Sequence, residues 1–150
     1  MKGDDIADRL LGFAKRVLGL CRRFPEDFAG KHVARQLVRC SSSAGSNYEE
    51  ARGAESLADF IHKIAVARKE IRESRYWLRL ADPELAQGPE IAALIREANE
   101  LAAILTSSIK TARARSGTTA SLLAAARIAN DETTKRRNDE TTNEGVSDRL

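Results

Sequence analysis

Glycine and proline are scarce in this 150-residue chain, at 9 and 3, and aromatic side chains make up only 5% of it. β-Sandwiches and barrels need frequent Gly- and Pro-rich turns and strands dense in aromatic or β-branched residues. The scarcity argues against both and leaves long helices. Apolar residues nowhere run on for the roughly 18 positions of a transmembrane helix, which argues against a membrane span. The opening MKGDDIADRL carries Asp4, Asp5 and Asp8, where a secretory leader has a basic start and then an apolar stretch. A cytoplasmic location is therefore expected. Cys21, Cys40, His32 and His62 are the entire Cys and His complement, and they build no zinc-finger spacing. Both cysteines lie within apolar helical patterns. They read as small reduced core residues, with a disulfide or a reactive thiol as the alternative.

What is present is hydrophobic periodicity. Ile6, Leu10, Phe13, Val17, Leu20 and Phe24 repeat at helical spacing and predict a first helix over 4–24, closed by Phe24-Pro25. Val33, Leu37, Cys40, Ala44, Asn47 and Ala51 repeat the same spacing. They predict a second helix from 25–30 to about Gly53. Its centre, Ser41 to Asn47, is loop-like in composition, but the heptad phase is unbroken across it, so it is read as helix. Asn47 is expected to face the core there and to fix the bundle's register as a buried amide.

Ser56, followed by Asp59 at the capping-box distance, opens a third helix that ends near Asp82-Pro83. Leu57, Phe60, Ile64, Ala67, Ile71 and Leu78 form its stripe, with Ser74 the polar interruption. A fourth helix starts near Gly88-Pro89 and runs to about Arg115. Four amphipathic segments with short connections predict an all-α, antiparallel up-down four-helix bundle over 1–115. Residues 116–150 are read as an Ala-rich segment, 119–129, and a polar disordered tail. The Asn-Asp-Glu-Thr-Thr of 130–134 recurs at 138–142, and apolar residues are nearly absent there.

Charge is mild in total and uneven in place. Residues 1–115 hold 20 Lys and Arg against 16 Asp and Glu, while 116–150 hold 5 against 6. On the third helix Arg68, Arg72, Arg75 and Arg79 recur at steps of 4, 3 and 4, with Lys69 adjacent. Two readings are open. The stripe is a solvated face paired with Glu, or a surface that tracks phosphates. Tyr76 and Trp77 lie inside it, either to stack on bases or to anchor a subunit contact. Leu11, Leu18, Val38, Ile61, Tyr76 and Trp77 fall outside the main stripes and are the candidates for an oligomer interface.

Catalytic signals are weak. No Glu-x-x-His pair for a di-iron bundle occurs, and no nucleophile elbow surrounds Ser41, Ser42 or Ser43. No Gly-rich phosphate loop is present. The expectation is a non-enzymatic protein with no metal and no cofactor.

The ordered combination Phe24-Pro25, Gln36 to Ala51, Ser56 to Phe60, Lys69-Glu70, Glu73 and Tyr76-Trp77-Leu78 resembles a bacterial family. These are the four-helix-bundle proteins called 23S rRNA intervening-sequence proteins, matched over about residues 5–115. The resemblance implies an up-down bundle that assembles as a homopentamer. A related member is the accessory variability protein of diversity-generating retroelements, a basic pentamer that binds a reverse transcriptase and nucleic acid. The partners it implies are thus a second copy of the chain, RNA or DNA, and a reverse transcriptase, with no membrane. It carries over no catalytic residue. Where the commoner branch has Asn-Ile-Ala-Glu-Gly, this chain has Ser46-Asn47-Tyr48-Glu49-Glu50.

Overall fold

A computed structural model of the chain describes the backbone of residues 2–144 and the side chains of residues 3–134. Four helices follow in order: α1 (Lys2–Cys21), α2 (Phe28–Arg52), α3 (Leu57–Ala81) and α4 (Pro89–Glu144). No strand occurs among the described residues.

Local chemistry sets the helix ends. Asp27 caps α2 by accepting the Gly30 amide at 2.8 Å. Ser56 caps α3 by accepting the Asp59 amide at 3.1 Å. Each such bond satisfies one of the orphan amides of a first turn. The first helix stops at Cys21, three residues short of the expected Phe24. There Arg23 and Phe24 turn back onto the Leu20 and Cys21 carbonyls at 3.0 and 3.2 Å. Phe24 still reaches the core from the turn.

The ion pairs give the helix directions. Arg9 reaches Glu97 and Glu100, and Arg16 reaches Glu90, so α1 and α4 run antiparallel. Asp4 meets Arg52 across α1 and α2, and Lys63 meets Glu50 across α2 and α3. The bundle is therefore up-down, as the short connections require. Its core contains Leu10, Phe13, Val17 and Leu20 of α1 with Leu37 of α2, Ile64, Ile71 and Leu78 of α3, and Leu94, Leu101 and Leu105 of α4.

The Ser-rich centre of α2 is helical. Its polar side chains turn back on their own helix: Ser46 donates to the Ser43 carbonyl at 3.1 Å, and Ser42 to Val38 at 2.6 Å. This satisfies hydroxyls that would otherwise compete with the helix. Asn47 departs from expectation. It is half-buried and donates to the Ser43 carbonyl one turn back at 2.9 Å, so its bonds are local and fix no register. Tyr48 takes the buried position instead, its hydroxyl donating to the Gly3 carbonyl at 3.4 Å. A step of four rather than three from Ala44 puts the larger ring inward.

The chain forms two compact units that divide between Ala112 and Arg113. In the second, the helix continues past the expected end near Arg115 to Glu144, across the polar tract whose lack of apolar residues underlies the expected disorder. Every described side chain from 113 to 134 is exposed. The absence of burial on which that expectation rested is thus present, while local helix bonding persists without it, with Thr133 and Thr134 donating to carbonyls one turn back. Residues 145–150 of the expected tail lie outside the described residues.

Candidate nucleic-acid interface

The core residues of α3, namely Ala67, Ile71, Ser74 and Leu78, are each followed by an arginine: Arg68, Arg72, Arg75 and Arg79. One residue is a rotation of about 100° on a helix. The four arginines therefore share one flank of the core stripe. Arg75 locates that flank on the α4 side, since it donates to the Asn99 side chain at 2.7 Å. Arg68 and Arg75 are half-buried, and Arg72, Arg79 and Lys69 are exposed. Arg72, Arg75 and Arg79 line a shallow surface groove with Tyr76 and Leu80.

The acids of α3 lie on the opposite flank. Glu70 and Glu73 face α2, where Arg39 binds both. Burial nonetheless raises the Glu70 carboxyl above its ordinary value, against the pull of Arg39. Among the described residues, none of Arg68, Lys69, Arg72, Arg75 and Arg79 forms an ion pair. Arg9, Arg16, Lys31, Arg39, Arg52 and Lys63 all do. The glutamates that a paired-face reading of the stripe would need are already taken. Arg68 adds a further feature, a buried Nε with no hydrogen-bond partner.

The six apolar candidates divide. Leu11 and Leu18 are exposed at 53% and 42% beside an apolar groove of about 410 Å³ between α1 and α2, with Ala14 and Gly45 in its wall. Val38 is half-buried, and Ile61 packs partly against the core. Trp77 also leans on the core and donates to the Glu73 carboxylate at 3.2 Å, while Tyr76 is 60% exposed on the outer face of α3.

The structure also joins residues that the sequence kept apart. Phe28, His32, Trp77 and Tyr76 form a continuous row of rings across α2 and α3. Neighbouring centroids are 6.2, 5.6 and 5.2 Å apart. Phe28 heads it, 88% exposed. The spacing of Phe28 and His32 by one turn signals a shared face, but their apposition to Trp77 depends on how α2 packs on α3.

Elsewhere the chemistry is quiet. The Ser74 hydroxyl donates to the Glu70 carbonyl at 2.9 Å and lies 3.0 Å from the Cys40 sulfur. Burial raises both thiols above the ordinary range, Cys21 to about 11. Among the described residues, no three His, Cys, Asp or Glu side chains gather as a metal site. No described helix is long and apolar enough to cross a membrane.

Residues 5–107 match the family model described as 23S rRNA-intervening sequence protein. A crystal structure at 1.70 Å resolution, of a protein with unknown function from the S23 ribosomal protein family of Bacteroides thetaiotaomicron VPI-5482, superposes with a TM-score of 0.64 at 32% identity. The match covers 70% of this chain and 98% of that one. No curated protein matches.

Proposed function

The chain belongs to the 23S rRNA-intervening sequence protein family, and we propose that it is a non-catalytic, homo-oligomeric scaffold that binds nucleic acid along the α4-side flank of α3. One observation carries this reading. The four arginines of that flank and the adjacent Lys69 are without ion pairs among the described residues, while Glu70 and Glu73 of the same helix are held by Arg39. Phosphates bind such a surface by releasing counterions, which makes the affinity fall with salt.

If all five cations meet phosphates of a single strand, the slope of log K against log salt is about −3.5. Affinity then falls roughly 100-fold between 50 and 200 mM salt. Titration of labelled RNA at both salts tests this. Arg72→Gln with Arg79→Gln should flatten the slope by about 1.4. An unchanged slope in that variant removes the flank from the reading, and no binding at 50 mM removes nucleic acid altogether.

Self-assembly in this reading rests on the α1–α2 groove, where Leu11 and Leu18 leave apolar surface open beside Ala14 and Gly45. Leu11→Glu with Leu18→Glu should reduce the mass found by light scattering at micromolar concentration. A monomeric wild-type mass would end the proposal.

A further inference from the structure

We infer that the ring row Phe28–His32–Trp77–Tyr76 is a stacking platform, and that the nucleic acid it takes is single-stranded. This deepens the reading above and depends on it. Tyr76 belongs to both features: it lines the groove with Arg72, Arg75 and Arg79, and its ring meets Trp77 edge-on at 5.2 Å. From there the row crosses onto α2, where Arg35 stands one turn from His32 and Lys31, paired with Glu26, one turn from Phe28. A strand laid across this face meets guanidinium groups at one end and the exposed rings of Tyr76, His32 and Phe28 along its length, with the half-buried Trp77 between them. That combination of cationic groove and aromatic surface suits unpaired bases. In a duplex the base faces are already stacked on one another, and side-chain rings cannot reach them.

Charge separates this occupant from two others. An acidic protein segment would use the cations but gain little from four rings. A second copy meeting this face isologously would set one cationic flank against another, a like-charge contact that disfavours association. The carboxylate in contact with Trp77, that of Glu73, accepts its indole N–H and is bound by Arg39, so it is not free to repel a phosphate.

Trp77 is the sole tryptophan, so its emission reports on the row directly. The full chain is titrated with a 12-nucleotide oligouridylate and with an RNA duplex of equal length. The single strand should bind at least tenfold tighter than the duplex and quench Trp77. Phe28→Ala and Tyr76→Ala, both at exposed positions, should each weaken single-strand binding by roughly 5- to 100-fold. They should leave the salt slope and the thermal midpoint unchanged, and Tyr76→Phe should restore binding. Equal affinity for strand and duplex, with the ring variants neutral, would overturn the platform and leave the cationic flank standing. No binding of either probe would overturn both. A fall in oligomeric mass in the ring variants would assign the row to a contact between copies and end the inference.

Discussion

Gly30 is the position where a single methyl group should do most harm. It is buried in the first turn of α2, and its amide is the one that Asp27 caps. A Cβ built there would stand 2.0 Å from the Pro25 carbonyl oxygen and 3.0 Å from the Pro25 carbonyl carbon. Both atoms are backbone, so no side chain can swing aside. The loop would have to retreat by more than about 1 Å to regain van der Waals distance.

Overpacking of this kind costs about 1–3 kcal/mol, and drawing Asp27 off its amide adds about 1 kcal/mol. Alanine returns at most about 1 kcal/mol of helix propensity. The expected result for Gly30→Ala is a net loss of about 1–3 kcal/mol, or about 4–12 °C in the thermal midpoint. Gly12→Ala and Gly19→Ala are the controls. Nothing lies within 4 Å of a Cβ at either, so each should stabilise by about 0.5–1 kcal/mol. Urea unfolding of the three variants reads both signs. A Gly30→Ala variant as stable as the parent would refute the argument that close approach to Pro25 dictates glycine there.

Two further outcomes follow from burial. The unfolded chain ionises its thiols near 9 and its phenols near 10, whereas burial holds the protons of Cys21 up to about 11 and raises Tyr48. Their contribution is complete below pH 9 and is lost as pH rises through about 11. The urea midpoint should therefore fall between pH 8 and 10.5. Cys21→Ala and Tyr48→Phe should each flatten that fall, and an unaltered pH dependence in both would refute the assignment. A chain ending at Arg115 should keep its unfolding free energy within about 0.5 kcal/mol while losing helical circular dichroism signal, because every described side chain from 113 to 134 is exposed. A loss above about 2 kcal/mol would show that the removed segment supports the bundle.

The bundle was legible because its core positions recur at helical spacing with few interruptions. Ser56 and Asp59 announced the start of α3, and the unbroken phase from Val33 to Ala51 carried α2 through a loop-like composition. The misses have separate physical causes. Asn47 and Tyr48 are adjacent, and strict 4-3 spacing picks the wrong one when the tyrosine can reach inward and pair with Gly3. The length of α4 was hidden because the burial argument concerns tertiary stabilisation, whereas its helix continues on local bonds alone. The cation flank was visible as periodicity. Its freedom from ion pairs was not, because that depends on Arg39 of another helix reaching Glu70 and Glu73. The ring row needed the α2–α3 packing as well.

Net charge is a poor guide to this molecule, and the reason is spatial. Among the described residues six cations bind nine carboxylates, several of them shared by a single arginine. Acids are thereby drawn into the seams, with Arg9 held between Glu97 and Glu100 and Arg39 between Glu70 and Glu73. The cations left over outnumber the acids left over by more than the formal +3 suggests. Exposed charges act on a ligand only within about 10 Å at 0.1 M salt. A phosphate above the α4-side flank of α3 therefore responds chiefly to Arg72, Arg75, Arg79 and their neighbours, and little to acids elsewhere on the bundle. A chain whose whole balance is nearly neutral can in this way present one strongly cationic face. The salt slope, which counts the charges that meet phosphates rather than those the chain contains, is the measurement that reads that face.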